Sequence, residues 1–142
     1  MRSIVTASAQ ETEGFAQKLA RLLRPDDVLA FFGGLGMGKT TFVRGLVQGL
    51  DGQDEVSSPT FSLVHEYGTR PRLYHFDMYR VTSLDDLYST GFFDYLDTGA
   101  ILAIEWSENI EGALPDQAIR VRFERLDETR RRITVEGDER FC

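Results

Sequence analysis

Residues 28–50 read VLAFFGGLGMGKTTFVRGLVQGL, an apolar run that enters a glycine-rich loop and continues as a second apolar pattern. Within this stretch, residues 33–40 (GGLGMGKT) match the phosphate-binding pattern G-x-x-x-x-G-K-[ST] at every required position. The backbone N–H groups of such a loop point at phosphates, and glycine is needed where a Cβ would crowd the anion. The flanking apolar patterns predict a buried strand over 28–32 and a helix after the loop. The stretch therefore predicts a phosphate site between a strand and a helix N-terminus.

The loop also predicts which side chains contact a nucleotide. Lys39 would reach the β and γ phosphates, and the Thr40 hydroxyl would be a ligand of Mg²⁺. The residues of this stretch that we expect to bind the cofactor are Gly34, Leu35, Gly36, Met37, Gly38, Lys39, Thr40 and Thr41. The sequence contains neither the guanine-recognition pattern Asn-Lys-x-Asp nor the switch pattern Asp-x-x-Gly. We therefore expect ATP.

Size and composition limit the function classes. The 142 residues predict a single α/β domain over 1–142, and a hydrophobic content of 42% is enough for a core. We find no signal pattern and no apolar run of membrane-spanning length, so we expect a soluble cytoplasmic protein without a membrane partner. Cys142 is the sole cysteine, which excludes an internal disulfide and a cysteine metal cluster. The net charge of −7 argues against a chain that binds nucleic acid without a partner.

Capping patterns predict helices before and after the loop. Ser8 and Glu11 form a capping box at the start of a first helix, which should end before Pro25. Ser83 should cap a short helix that Gly91 ends, followed by an aromatic cluster that is most simply core.

Strand patterns predict a mixed sheet flanked by these helices. Residues 57–67 and 73–77 read as a strand pair around a turn. The apolar run 100–104 indicates a strand covered on both faces. The alternating segments 119–123 and 132–136 predict an antiparallel hairpin at the end of the sheet.

Two acids close predicted strands and are candidates for the chemistry. Asp77 follows one strand and Glu105 follows the apolar strand, and strand carboxyl ends gather at the ligand edge of open α/β sheets. One carboxylate would bind Mg²⁺, while the other would hold its water or orient the attacking water. Together with Lys39 they are the predicted catalytic residues. The sequence leaves open that either acid only pairs with an arginine.

Three further positions have two interpretations each. Thr60 lies in a Ser-Pro-Thr loop where a switch threonine would meet Mg²⁺ and the γ phosphate, or it caps a turn after Pro59. Trp106, the only tryptophan, is either packed core or an aromatic near the nucleotide, and its place beside Glu105 favours the second. The arginine run 130–132 is either a local basic patch or a solvated hairpin, and charge patterning alone favours the second.

Together these motifs are similar to those of a known family. Residues 33–41 (GGLGMGKTT), 58–61 (SPTF), 75–80 (HFDMYR), 104–106 (IEW) and 114–115 (LP) resemble, in order and spacing, the TsaE (formerly YjeE) family of bacterial P-loop ATPases. The resemblance runs from residue 10 to the terminal hairpin. The HFDxYR and IEW motifs are much more specific than the loop motif.

The resemblance implies a function, partners and site residues. The family is the ATPase component of the machinery that forms N6-threonylcarbamoyladenosine at position 37 of tRNAs reading codons that begin with A. It implies ATP at the loop, Mg²⁺ held by Thr40 and Glu105, and functional roles for Asp77 and Trp106. It also implies association with the TsaB–TsaD pair, with tRNA reached only through that complex. By the same resemblance, Gln10 and Thr12 match a region near the adenine, and Arg130 a region near the nucleotide.

One loop position departs from the family. The family usually has Asp after the first loop glycine, whereas this chain has Gly34. Since the phosphate-facing amides need no side chain there, we expect nucleotide binding to survive.

Two other functions remain as alternatives. A small-molecule kinase would need an acceptor pocket and a lid, for which a chain of 142 residues leaves little sequence. A nucleotide-gated binding module would hydrolyse ATP only incidentally. For the ATPase itself, we expect slow turnover without partners.

Overall fold

The computed structural model describes residues 1–33, 38–53, 56 and 64–141. The strands in this part of the chain are β1 (Arg2–Thr6), β2 (Val28–Phe32), β3 (Val64–Tyr67), β4 (Leu73–Asp77), β5 (Ile101–Glu105), β6 (Ile119–Arg125) and β7 (Arg131–Glu136). The α-helices are α1 (Ala9–Ala20), α2 (Lys39–Gly49), α3 (Leu84–Ser89) and α4 (Phe92–Tyr95), and 3₁₀ segments cover Ser107–Ala113 and Glu139–Phe141. The predicted mixed sheet flanked by helices is confirmed.

The strands form one sheet in the order β1-β7-β6-β2-β5-β4-β3. Strand β2 is parallel to β5 and β6, and β4 is parallel to β5, whereas the other neighbouring strands pair antiparallel. The predicted hairpin is confirmed as β6 and β7. Its predicted place at the end of the sheet is wrong, because β1 pairs outside β7, with Thr6 opposite Arg131.

The alternation of strand side chains divides the core between the two sheet faces. In β2, Leu29 and Phe31 pack beneath α1 and α2, while Val28, Ala30 and Phe32 pack on the face that carries α3 and α4. All of β2 is buried, which explains its uninterrupted apolar sequence.

The two long helices on the first face approach each other closely at two glycines of α2, Gly45 and Gly49. A Cβ at Gly45 would lie 2.6 Å from the Ala16 Cβ, and one at Gly49 would lie 2.6 Å from the Ala20 Cβ. Such distances are far inside van der Waals contact, so only glycine lets α2 approach α1 this closely.

The predicted helix caps are present. The Ser8 Oγ accepts the Glu11 N–H at 3.1 Å, and the Glu11 carboxylate accepts the Ala7 N–H at 3.0 Å. The Ser83 Oγ likewise accepts the Asp86 N–H at 3.1 Å. The aromatic cluster after Gly91 includes the one-turn helix α4, in which Phe92 is fully buried. No helix among the described residues combines the length and apolarity that a membrane crossing requires.

One edge of the sheet collects the candidate site residues. The carboxyl ends of β2, β4, β5 and β6 lie at this edge because these strands run parallel. Helix α2 begins after β2, so its N-terminus lies there as well.

Candidate functional site

Lys39 occupies the centre of this edge. It is the first residue of α2 and is only 5% exposed. Its Nζ donates to the Gly33 carbonyl at 2.8 Å and lies 4.8 Å from the centroid of the Trp106 ring. Burial lowers the pKa of the Lys39 ammonium, and the charges of Glu105, Glu108 and Asp77 oppose that shift.

The described residues at the start of α2 favour an anion. Gly38 precedes the helix with φ 95°, a left-handed conformation that favours glycine, and no described side chain caps this end. The first turn also contains no acid. The first N–H groups of a helix have no partner within the helix, so they and the positive end of the helix dipole favour a phosphate there. Thr40 and Thr41, both half-buried, lie in this first turn.

Asp77 and Glu105 end adjacent parallel strands in matched register. Both are 6% exposed. Their charges both act on the buried Lys39, so the predicted catalytic residues converge. Burial raises the pKa of the Asp77 carboxyl; the Tyr79 N–H, donating to Asp77 Oδ1 at 2.9 Å, opposes the shift, and the Glu105 charge adds to it.

Trp106 lies against the lysine at the exit of β5. Its backbone is left-handed with φ 59°, which is uncommon for a residue other than glycine. Its ring contacts Tyr79 at a centroid distance of 5.0 Å. The interpretation that places Trp106 in the candidate site therefore agrees with its contacts. The side chain also packs against the core on the sheet face that carries α3 and α4.

Two side chains at this edge were not predicted as site residues. Glu108 Oε2 accepts the Gly33 N–H at 3.1 Å, so an acid from the 3₁₀ segment contacts the residue before the undescribed part of the loop. His75 Nε2 lies 2.5 Å from Glu105 Oε2. The two-residue spacing of His75 and Asp77 in one strand indicates that both side chains lie on the same sheet face. The contact of His75 with Glu105 has no such local signal, because it depends on the register between β4 and β5.

The residues predicted near the adenine lie on the β1 side of the same edge. Gln10 is exposed in the first turn of α1, and the buried Thr12 hydroxyl pairs with the Thr6 hydroxyl at 2.8 Å. Arg130 is in the turn between β6 and β7, where its Nε donates to Asp127 Oδ2 at 2.6 Å. The pairing of Thr6 with Arg131 brings this turn close to the start of α1.

The remaining predicted positions lie outside the described residues. These are Gly34, Leu35, Gly36, Met37 and Thr60.

The oxygen donors at this edge fit Mg²⁺. A threonine hydroxyl and carboxylates are hard ligands, and Mg²⁺ bound with a nucleotide takes only one or two protein ligands beside phosphates and water. Across the described ranges, no three or more His, Cys, Asp or Glu side chains form a metal-binding group. The donor set therefore suits a cation shared with a nucleotide, with Thr40 and Glu105 as candidate ligands.

Comparisons with known proteins show which family the chain resembles. The sequence model of the family described as "Threonylcarbamoyl adenosine biosynthesis protein TsaE" matches residues 6–133. Proteins named "tRNA threonylcarbamoyladenosine biosynthesis protein TsaE" from Treponema pallidum and Haemophilus influenzae are similar to it. The Treponema protein is 38% identical, and the match covers 92% of this chain and 97% of that protein. The Haemophilus protein is 41% identical, and the match covers 82% of this chain and 75% of that protein. The crystal structure of YdiB from Bacillus subtilis superposes with a TM-score of 0.82 at 31% identity, covering 99% of this chain and 88% of YdiB.

The sheet order and the lysine at the start of α2 define a P-loop NTPase-like protein. The family model matches most of the chain, and the alignments with the two relatives near 40% identity cover most of each relative. The chain belongs to the TsaE family.

Proposed function

We propose that this protein is the ATP-binding and ATP-hydrolysing component of the machinery that forms N6-threonylcarbamoyladenosine in tRNA. Its relatives are named for that biosynthesis. We infer that it acts in the cytoplasm with the TsaB–TsaD complex, through which it reaches tRNA indirectly. The net charge of −7 supports an indirect role, since direct phosphate contacts need a basic surface.

The observation that carries the ATPase proposal is the convergence of Lys39, Asp77 and Glu105. The free N–H groups at the start of α2 and the Lys39 ammonium would hold the phosphates. Thr40 and Glu105 would hold Mg²⁺, which supplies charge neutralisation on the phosphate oxygens when bound. Asp77 would accept a hydrogen bond from the attacking water and orient it.

We infer that hydrolysis is slow until partners complete the site. Phosphoryl transfer is accelerated by positioning and by cations on the developing charge, and a cation lent by a partner is worth roughly 10³–10⁵ in rate in GTPase systems. Tyr79, which contacts Trp106 at this edge, is 56% exposed. A partner bound over these rings would shield the nucleotide from water.

The test measures phosphate release from Mg-ATP by the purified chain, alone and with TsaB–TsaD. We expect slow turnover alone and an increase of at least about tenfold with the complex. Lys39→Ala should lower nucleotide affinity by roughly ten- to a hundredfold. A lysine that does not contact phosphate, Lys18 on the exposed surface of α1, gives the matched control Lys18→Ala.

Other outcomes would contradict the proposal. Transfer of the γ phosphate to a small acceptor would identify a kinase. Modification of tRNA by a hydrolysis-dead variant at the normal rate would identify a nucleotide-gated module. Unchanged Mg-ATP binding by Lys39→Ala would refute the loop assignment itself.

A further inference from the structure

His75 is a polar side chain in the middle of the core. It is 0% exposed and lies in β4, on the same sheet face as Asp77 and two residues before it. Complete burial means that His75 has no access to a nucleotide or a partner. A buried imidazole costs more than an apolar side chain of similar size unless its polar atoms are used.

The imidazole forms a hydrogen bond with Glu105. The distance between His75 Nε2 and Glu105 Oε2 is 2.5 Å, and both atoms lie within the buried part of the site. Among the described residues, His75 Nδ1 has no hydrogen-bond partner. A carboxylate only accepts, so Nε2 is the donor in this hydrogen bond.

The bond restricts the orientation of the Glu105 side chain. Strand register places Ala103 opposite His75 and Glu105 opposite Asp77, so the imidazole reaches diagonally across the strand pair to Glu105. It engages Oε2 only, and Oε1 stays outside this bond. A buried donor that engages one carboxylate oxygen leaves the other aimed in a fixed direction.

We propose that His75 is a positioning residue that holds the Glu105 carboxylate in the orientation needed to bind a divalent cation together with ATP. This inference rests on the proposed function. His75 does not touch the cation; it acts through Glu105. Loss of an outer partner of this kind typically lowers metal affinity by roughly 10- to 100-fold.

Two amide variants separate this role from mere packing. In His75→Gln the amide N–H₂ falls close to the position of Nε2 and can still donate to Glu105, whereas in His75→Asn the same group is one methylene too short. The readout is the affinity of the chain for ATP with Mg²⁺ and with EDTA, followed by titration calorimetry or by the fluorescence of the only tryptophan, Trp106. Thermal unfolding checks that each variant is folded. His75→Leu, which fills similar volume, replaces His75→Asn if that variant does not fold.

We expect His75→Asn to lose about tenfold or more in affinity for Mg-ATP, with little change for ATP in EDTA. His75→Gln should stay within about threefold of the wild type in both conditions. In a Glu105→Gln background, the asparagine substitution should cause no further loss, because the oriented carboxylate is already absent.

Equal losses in Mg²⁺ and EDTA, or no loss in folded His75→Asn or His75→Leu, would overturn the inference while leaving the proposed function intact. A wild type whose ATP affinity does not respond to Mg²⁺ would also overturn the inference alone, whereas a wild type that binds ATP in neither condition would overturn both.

Discussion

Asp77 and Glu105 are register partners at the ends of β4 and β5, and both are buried at the edge where α2 begins. Their surroundings differ, because Asp77 accepts a backbone N–H whereas Glu105 contacts the His75 ring. Two carboxylates in different environments can divide two roles between them.

This difference predicts separate effects of isosteric substitutions. Glu105→Gln should weaken Mg-ATP binding far more than metal-free ATP binding, since only the former uses the carboxylate. Asp77→Asn keeps an acceptor for the Tyr79 N–H, so it should retain Mg-ATP affinity while hydrolysis falls by roughly 10²-fold or more. Calorimetry with and without EDTA, combined with phosphate release, checks both. If Glu105→Gln lost affinity equally in the two conditions, Glu105 would not be a metal ligand and Asp77 would take its place.

The buried charge of Lys39 should lower the stability of the nucleotide-free protein while serving nucleotide binding. Burial lowers its pKa, which means that the fold disfavours its charged form. Lys39→Met keeps the aliphatic stem and removes the charge, so the nucleotide-free protein should melt at or above the wild-type temperature. The rise in melting temperature on adding a fixed concentration of ATP should be clearly smaller than for the wild type. Differential scanning fluorimetry with and without nucleotide measures both, and a clearly lower melting temperature without nucleotide would contradict the argument.

The contact between α1 and α2 predicts a steric penalty at Gly45. An added Cβ there would meet Ala16 at 2.6 Å, so Gly45→Ala should destabilise the protein by about 1–3 kcal/mol. Gly14, in α1, is the matched control because no described atom beyond the backbone of its own helix and its chain neighbours lies within 4 Å of its added Cβ. Gly14→Ala should stabilise by about 0.5–1 kcal/mol through helix propensity. Urea unfolding of the two variants gives opposite shifts of the midpoint, and shifts of the same sign would refute the assigned contact.

The turn between β6 and β7 should make stability depend on acid pH. The Arg130 side chain is the main cause that lowers the pKa of Asp127, and the N–H groups of Arg130 and Thr129 add to it. A carboxyl with a lowered native pKa stabilises the fold above the unfolded value of 3.8 and loses this contribution as pH falls below it. Melting temperatures at pH 6 and pH 3 should therefore differ more for the wild type than for Asp127→Asn. Since the turn is exposed, the difference should be small and should shrink in high salt.

Local sequence patterns were enough to predict the elements that meet at the site. The strand over 28–32 was predicted with the observed bounds of β2, because full burial gives a continuous apolar run ended by glycine. The acids at the ends of β4 and β5 were predicted for the same reason, since each follows directly on a run of apolar or aromatic residues.

Features that depend on distant pairing were not predictable in this way. Strand β1 has the sequence RSIVT, in which the adjacent Ile4 and Val5 interrupt alternation, and its partner β7 is at the other end of the chain. The contact between His75 and Glu105 likewise requires the register of two strands separated by α3 and α4. No local pattern encodes either relationship.

The glycine contact between α1 and α2 also has a mechanical consequence. Gly45 and Gly49 pack against Ala16 and Ala20 with no room for a further Cβ, so close-packed atoms oppose sliding of one helix along the other. We therefore expect two segments to move together as one rigid unit: the first turn of α1, with Gln10, and the start of α2, with Lys39. We expect any closure around a nucleotide to involve Tyr79 and Trp106 instead, so chemical-shift changes on binding should be small along the contact between α1 and α2 and large around these rings.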